Sequence, residues 1–502
     1  MSEELSTNQK PGFHILICLI EIWTPVDKKD PNGPDKGDKQ YICEVEDIEI
    51  EESFKKLIST ASVKFPRGTV VRRTITSTKE DEELFKYVTA NVAENGVVQT
   101  TRTTTSVMTN ETFSVGQRIK IYLGYTTDPA IAELAKTGGT GKTIYNDNNK
   151  YQEYLKAFER PSDTISNINK VKKYMGLMFD GYITKISVDT PIELECENLA
   201  SVLKNITCPP KVQLKKCEVK DLLGENGTYK LLKNTGLKLH SETAKMNFDL
   251  GGVNLNEDLT VADVLIEWSK YGLFCYVADD NGQPAIQIGR VYFTDPGEDS
   301  LLRQTKENQP VDIYFDYNVA NNGLSLTSSD KNFLAVQAKG IDDQDRFITI
   351  TIIKNPDYDS TKEDSQDNPK YRYVNESKLT KKAIKAGKRY LTSSPNDRID
   401  LKIYTQVAYL SKTIPITNEK LAEEAAKYFE LYNMTGIEGT LTLFGDLCLR
   451  TGQQVNLIDR RYPGKEGRYL VEEVTTTFGT DGFRQEITLP YCIYRKNQKA
   501  DE

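Results

Sequence analysis

The stretch that most limits what this chain can fold into is its C-terminal one, from Gly436 to Tyr491. Four short runs follow one another there: Gly439-Thr-Leu-Thr-Leu-Phe-Gly445, Gln454-Val-Asn-Leu-Ile458, Arg468 to Phe478, and Gly482 to Leu489. Leu441/Leu443 and Tyr469/Val471 alternate with polar neighbours, the period of two that places one strand face in a core and the other in water. Between the runs sit Phe444-Gly-Asp446, Thr451-Gly452, Tyr462-Pro-Gly-Lys-Glu-Gly467 and Thr480-Asp-Gly482. Asp-Gly marks a tight hairpin, because both central positions of such a turn favour positive φ. A meander of this kind closes most economically as a small barrel or rolled sheet, since closure removes its edges.

With 502 residues, the chain is too long for one core and long enough for about three domains. Hydrophobic residues make up 38% and mean hydropathy is -0.53, which fits a soluble, folded chain. The net charge of -8 argues against a protein that grips nucleic-acid phosphates, which needs clustered positive charge. Eight cysteines, Cys18, Cys43, Cys196, Cys208, Cys217, Cys275, Cys448 and Cys492, form no Cys-x-x-Cys pair and read as buried small hydrophobes of a reducing compartment. The acidic start, Met1-Ser-Glu-Glu-Leu-Ser6, is unlike a signal peptide, and Phe13 to Trp23 is too short to span a bilayer. Folding in a cytoplasm is the resulting expectation.

Taken in order, residues 13–23 and 41–49 read as strands around an exposed Pro/Gly/Asp/Lys loop. Glu51 to Pro66 leads into a strand ending Phe65-Pro-Arg67. Arg67 to Thr112 is rich in Thr, Val and Arg, reads as a long hairpin, and holds a helical patch at 82–88. Strand character resumes at Phe113-Ser-Val-Gly-Gln-Arg-Ile-Lys-Ile-Tyr-Leu-Gly-Tyr125. Thr126 to Met175 is polar, helical around Ile131–Ala135 and Tyr151–Phe158. Leu177 to Leu199 holds Phe179-Asp-Gly-Tyr-Ile183 and Pro191-Ile-Glu-Leu-Glu-Cys-Glu197, in which Ile192, Leu194 and Cys196 alternate with carboxylates. Residues 212–290 switch period. Val261 to Tyr271 is an amphipathic helix with Thr260 as N-cap and Gly272 as stop, flanked by strands at 274–277 and 285–288. Strands return at 334–338, 346–354 and 400–409, around a charged loop at 355–368. A helix at 419–434 feeds the C-terminal meander. Val115-Gly-Gln-Arg-Ile-Lys-Ile121 is faintly echoed by Arg450-Thr-Gly-Gln-Gln-Val-Asn-Leu457, as a duplication would leave it.

The Phe-Pro-Arg strand end, the Val-Gly turn before a strand ending Leu-Gly-Tyr, the Phe-x-Gly-Tyr-Ile and Pro-Ile-x-Leu-x-Cys-Glu pair, and the C-terminal meander resemble, in that order, the hub proteins of phage tails and baseplates. This is the late control protein D family, to which the hub part of type VI secretion spike proteins is similar. The resemblance does not cover the two insertions or residues 355–370. It implies a mainly β chain with α+β character, two small β-barrel domains flanking a small α/β domain. The corresponding division is 1–208 (insertions at about 67–112 and 126–175), 209–300, 301–495 and a tail, 496–502. It further implies a structural virion protein, located in the tail and assembled in the host cytoplasm. The protein would form a ring on the tail axis, a trimer before a hexamer, joining the tube to a spike, needle or fibres. The same fold in a bacterial contractile injection or type VI apparatus is one alternative, a polysaccharide- or peptidoglycan-cleaving tail enzyme another. The barrels should not need the two insertions to close, so at least one insertion is expected to be ordered by a neighbouring subunit or tail protein.

Chemistry-bearing motifs are weak. Thr137-Gly-Gly-Thr-Gly-Lys-Thr143 lacks the first glycine of a phosphate-binding loop, where Lys136 stands, and follows a helical rather than a strand pattern. Its Lys142 reads as part of a loop tip. His14 and His240 have no histidine partner, and His14 reads as a core residue. Glu193 and Glu195 fall on a wet face. No catalytic, cofactor-binding or metal-ligating residue is singled out, and neither sequence-specific nucleic-acid binding nor a membrane segment is expected. Gly181, Gly452 and Gly482 are expected at turns or close backbone approaches.

Overall fold

The computed structural model describes residues 14–27, 30–35, 38–78, 89–92, 98–107, 112–136, 168–187, 191–210, 212–245, 249–270, 273–289, 310–326, 334–342, 347–355, 371–375, 406–415, 417–433 and 437–495. The chain is mainly β. Its largest element is a 14-stranded sheet to which both ends of the described chain contribute. From edge to edge run Val319–Asn322, Thr440–Phe444, Gly482–Thr488, Glu473–Gly479, Asp47–Ser53, Thr60–Phe65, Ile192–Asn198, Met175–Ile186, Arg118–Thr126, Ile15–Trp23, Asp38–Ile42, Val70–Thr78, Val98–Val107 and Thr89–Val92. The C-terminal meander is stitched directly to the N-terminal strands, with Phe478 opposite Ile48 and Thr476 opposite Ile50.

This sheet is not flat. Gly482–Thr488 and Arg118–Thr126 lie six steps apart in the strand order, which at ~4.8 Å per step would hold them roughly 29 Å apart in a plane. Instead the Tyr125 hydroxyl donates to the Phe483 carbonyl at 2.8 Å, and the two rings pack with centroids 5.6 Å apart. The sheet has curled around a core that takes Ile20, Ile48, Val63, Ile121, Leu194, Phe478 and Phe483 from seven strands. Burying such side chains contributes about 1.5–3 kcal/mol each, which is what bends the sheet. Among the described residues, side chains rather than a hydrogen-bonded ladder bridge these two strands.

A second core lies under the C-terminal β unit, built from Ile313, Leu441, Val455, Tyr469, Val474 and Ile487. One face of Glu473–Gly479 and Gly482–Thr488 feeds both cores, Val474 and Ile487 into this one, Phe478 and Phe483 into the other. Between them sit the buried polar residues Thr476 and Gln485. Gln485 is fully satisfied: its amide nitrogen donates to the Leu449 carbonyl (2.9 Å) and to Thr476 Oγ1 (3.1 Å), and its oxygen accepts from the Leu449 N–H (2.7 Å).

The single strand read over Arg468–Phe478 is two, Gly467–Leu470 and Glu473–Gly479, which belong to different sheets. The first pairs with Gln454–Ile458 and with Tyr491–Arg495 in a four-stranded sheet that also holds Val311–Tyr314. Loops take the backbone groups at the corner: Val471 exchanges hydrogen bonds with Gly452 and Gln453, and the Glu472 carbonyl accepts from Phe54 N and Thr451 Oγ1. Tyr469, Leu470 and Val471 are all buried, so the alternation of a strand with one wet face is interrupted at this corner.

The helix Val261–Lys270 forms where expected. Thr260 and Asp263 close a reciprocal capping pair, with Asp263 N donating to Thr260 Oγ1 (3.2 Å) and Thr260 N to Asp263 Oδ2 (2.9 Å). With Phe274–Asp280 and Gln283–Gly289 it encloses a third core that includes Leu199, Leu222, Leu265, Trp268 and Ile286. The helix Asn418–Asn433 does more than lead into the meander. Its Leu421, Ala425 and Phe429 cover a separate four-stranded sheet ordered Tyr371–Asn375, Phe347–Lys354, Leu334–Ile341 and Gln406–Pro415.

Both insertions are more deeply rooted than their composition suggests. Val70–Thr78 and Val98–Val107 pair along nine residues and extend the main sheet from Asp38–Ile42, with Val71 in its core. The patch at 82–88 and residues 151–158 lie outside the described residues. In the second insertion, Pro129–Lys136 is a helix whose Ile131 and Ala135 pack with Val171 on Ile17. Lys172 pairs with the buried Glu21. The roots of both insertions are therefore parts of the N-terminal β unit rather than additions outside it.

Candidate assembly surfaces

The faint sequence echo is an exact echo of hydrogen bonds. In the first turn, Ser114 N donates to Gln117 Oε1 (2.9 Å), Gly116 N to the Ile183 carbonyl (2.8 Å), and Ile183 N to the Gln117 carbonyl (2.9 Å). In the second, Arg450 N donates to Gln453 Oε1 (3.0 Å), Gly452 N to the Val471 carbonyl (2.9 Å), and Val471 N to the Gln453 carbonyl (2.9 Å). Gly116 has φ +88 and Gly452 φ +79, the left-handed region that any side chain resists. The following registers match as well. Arg118 faces Tyr182 and Ile121 faces Phe179, as Gln454 faces Leu470 and Leu457 faces Gly467. Ile119 and Ile121 enter one core, Val455 and Leu457 the other.

The surroundings of the two turns differ sharply. The second is wedged into the molecule. Arg450 reaches the buried Glu52, with Nε 2.8 Å from its carboxylate, and donates through Nη1 to the Leu177 carbonyl (2.7 Å). Burial pushes the Glu52 carboxyl above its usual range, and the Arg450 charge and hydrogen bonds pull it partly back. Gly176 lies against Cys448, and Gly452 lies against the ring and hydroxyl of the buried Tyr276. The first turn meets nothing comparable: a Cβ on Gly116 would have nothing within 4 Å, and Val115 is 64% exposed.

A second exposed patch gathers at the end of the C-terminal β unit. Tyr317 is 75% and Tyr462 71% exposed, next to Tyr314, Arg460 and Arg461. Arg461 pairs with Asp316 at 3.8 Å and Lys465 lies over the Phe315 ring at 3.8 Å, so the 314–318 and 459–466 loops form one surface. Exposed tyrosine and arginine together are the composition of interface hot spots.

The outer face of the main sheet is a third surface. Glu49, Ser62 and Glu195 face one another across three strands, as do Glu51, Thr60 and Glu197, and Asp47, Lys64 and Glu193. Lys64, Lys185 and Lys204 answer some of these carboxylates, with Lys204 2.8 Å from Glu197. This is the wet row read around Glu193 and Glu195.

Among the described residues, no group of three or more His, Cys, Asp or Glu side chains is placed to hold a metal, and no helix is long and apolar enough to cross a membrane. Residues 137–143, with Lys142, lie outside the described residues. His14 is not a core residue. It is exposed at the start of its strand, edge-on to the Tyr125 ring at 6.0 Å. His240 accepts from Glu242 N through Nδ1 (3.2 Å). Cys18, Cys196, Cys208, Cys217 and Cys275 are buried free thiols, Cys43 and Cys448 half-buried. Of the glycines named from sequence, Gly452 and Gly482 have positive φ, and a Cβ on Gly181 would lie 2.1 Å from the Glu197 carbonyl.

No protein-family model matches the sequence, and comparison with curated proteins finds no match. Solved structures do match. A tail protein from Neisseria meningitidis MC58 is 10% identical, over 94% of this chain and 96% of that one, at a TM-score of 0.43. The 43 kDa tail protein of prophage MuSo2 from Shewanella oneidensis is 10% identical, over 95% and 98%, at 0.42. A chain of the Francisella PdpA–VgrG complex is 9% identical, over 95% of this chain and 52% of that one, at 0.39. The structural neighbours are thus phage tail or baseplate proteins and type VI secretion proteins. With TM-scores below 0.5, none of them carries a function over to this chain.

Proposed function

We propose that this protein is a structural tail or baseplate hub. In this reading its two β units are barrels around a small α/β unit, and copies of it form a ring on the tail axis, a trimer before a hexamer. The ring would connect the tube or upper tail to a distal spike, needle or fibre assembly, in a virion tail put together in the host cytoplasm. The observation that carries the reading is the repeated turn. One chain holds two copies of the same Gly-Gln turn and following strand pair, each feeding its own core, with both cores under one curled sheet. A ring of few subunits with twice as many similar β units needs such a repeat. The motifs resembling the hub family fall on neighbouring strands of that sheet: Thr60–Phe65, Ile192–Asn198, Met175–Ile186 and Arg118–Thr126. The role is mechanical, not catalytic, and turnover assays on cell-wall and capsule polysaccharide should give no product above background. Native mass spectrometry and electron microscopy of the purified protein should show a closed ring, and antibodies against it should label the tail of particles. A strictly monomeric protein at high concentration, absent from particles, would end this reading.

A further inference from the structure

The outer face of the main sheet changes character toward the strand Ile15–Trp23. Ile20 and Ile22 enter the core, so Glu21 and Trp23 lie on the opposite face. That is the face of the carboxylate row, since Trp23 pairs with Arg118, Arg118 with Tyr182 and Tyr182 with Glu197. Here the face is not wet: Glu21, Trp23 and Arg118 are buried. Two ion pairs are tight. Arg118 donates to both Asp180 oxygens, at 2.9 and 2.7 Å, and Lys172 meets Glu21 at 2.5 Å. Two lysines hold the same carboxylates at longer range, Lys39 at 3.7 Å from Glu21 and Lys120 at 3.5 Å from Asp180. Both stand over the Trp23 ring, 4.7 and 5.7 Å from its centroid, and the Arg118 guanidinium is 5.3 Å from it. Trp23 itself is 4% exposed, and its Nε1 is a buried donor with no hydrogen-bond partner among the described residues. A buried indole N–H ordinarily has an acceptor. Three cations around this one favour an acceptor that is negative.

We propose that Trp23, Lys39 and Lys120 form a binding site for a small phosphate-type oxyanion, which accepts from Trp23 Nε1 and the Lys120 ammonium while Lys39 adds its charge. The shape of the ligand follows from the donors. The indole N–H lies in the ring plane and the ammonium groups lie over the ring face, so the donors come from different directions. A tetrahedral anion presents oxygens to both, whereas a planar carboxylate suits a guanidinium fork, and the fork of Arg118 is taken by Asp180. Both lysine side chains are partly exposed, which gives a small ion a way in. The ligand is a separate ion rather than a nucleic-acid backbone, because Glu193, Glu195 and Glu197 on the same face repel an extended polyanion. The site lies within one chain and does not depend on the ring reading above.

The test is isothermal titration calorimetry of the full chain with inorganic phosphate, at an ionic strength held constant with chloride. Wild-type protein should show one saturable site. Lys120→Met, at a partly exposed position, should leave the fold intact and weaken phosphate binding about tenfold or more, as loss of a charge-assisted hydrogen bond does. Trp23→Phe keeps an aromatic face for the cations and removes the N–H. It should also weaken binding, with the circular dichroism spectrum unchanged. A short single-stranded oligonucleotide should not displace the phosphate. Wild-type protein that gives no phosphate heat beyond the chloride control would overturn the site. Wild-type affinity in Lys120→Met, or in a folded Trp23→Phe, would overturn the assigned donors. Displacement by the oligonucleotide would overturn the free ion as ligand.

Discussion

The two Gly-Gln turns make a controlled comparison inside one molecule. Their internal hydrogen bonds are the same to within about 0.2 Å at the four shared positions, yet Gly116 stands in open space and Gly452 is pressed against Tyr276. The difference separates two reasons for a glycine. At Gly116 the backbone angle is the whole reason. At Gly452 the angle and the neighbour coincide, because a Cβ would lie 2.3 Å from the Tyr276 hydroxyl oxygen. That hydroxyl is itself fixed, donating to Gln287 Oε1 at 2.8 Å. A local turn has thereby become a joint between the C-terminal β unit and the α/β unit.

The largest effect should follow from breaking that joint. Gly452→Val adds left-handed strain and a clash with a buried aromatic, and is expected to cost about 4 kcal/mol or more, or to prevent folding. Gly116→Ala, with strain alone, should cost about 1 kcal/mol. Gly482→Val should fall between, since its φ is +101 but the nearest atoms belong to the flexible end of Arg484. Denaturant unfolding of the three variants gives the order. Equal losses at Gly452 and Gly116 would mean the joint is not packed as described.

The next effect concerns Arg450, whose counterpart in the first turn is Ser114. Arg450→Leu leaves Glu52 buried without its partner and should cost about 2–3 kcal/mol, less than the ~3–5 kcal/mol of a fully buried pair because Arg450 is partly exposed. Ser114→Ala should be silent within about 0.5 kcal/mol. The sign of the pH dependence follows from burial. The Glu52 carboxyl is raised in the folded protein, so the folded state holds its proton to higher pH than the unfolded chain, and stability falls as pH rises through that window. Removing Arg450 raises the carboxyl further. The variant should therefore recover stability relative to wild type on going from neutral to mildly acidic pH, and a deficit that grows on acidification would contradict the pairing.

Deleting residues 126–175 sharpens the comparison at a third level. The sequence reading treats this segment as dispensable to the subunit, but Ile131, Ala135 and Val171 cover Ile17, and Lys172 answers Glu21. Uncovering one large aliphatic residue costs about 1.5–3 kcal/mol, and leaving the buried Glu21 with Lys39 alone, 3.7 Å away, adds to it. The deletion should therefore lower the thermal midpoint of the subunit itself. Retaining 126–136 and 168–175 around a short linker should restore it.

Much of the β architecture was legible because period-two alternation is local: Leu441/Leu443 and Ile192/Leu194/Cys196 carry their own face assignment. The helix Val261–Lys270 was legible because its capping pair is written within four residues. What was not legible depends on partners far away in sequence. Nothing around Glu473 announces that its strand pairs with Asp47–Ser53, and the Glu52–Arg450 pair joins residues 398 positions apart. The break at Val471–Glu472 had a signal, three buried-type residues in a row, but alternation on both sides hid it. His14 was misread because an apolar strand follows it, while its own position is the strand's exposed beginning. Val115 and Tyr462 stand in turn segments that the sequence marks, but that their side chains face outward is visible only in the fold.

The smallest expected effect tests the repeat most directly. Gln117 and Gln453 each accept a backbone N–H three residues back, from Ser114 and Arg450. A hydrogen bond of this kind contributes about 0.5–1.5 kcal/mol net, and more when the donor it leaves behind is buried. The first turn is exposed, so water can replace the lost acceptor in Gln117→Ala, and about 0.5 kcal/mol is expected. The second turn is walled in by Tyr276, Glu52 and Glu472, so Gln453→Ala should cost nearer 1.5 kcal/mol. Gln→Glu at each position keeps the acceptor and should restore most of the loss. Thermal melts of the four variants at one pH decide the matter. If the two alanine variants lose the same amount, the turns share their hydrogen bonds but not the difference in burial, and the distinction between a free turn and a wedged one fails.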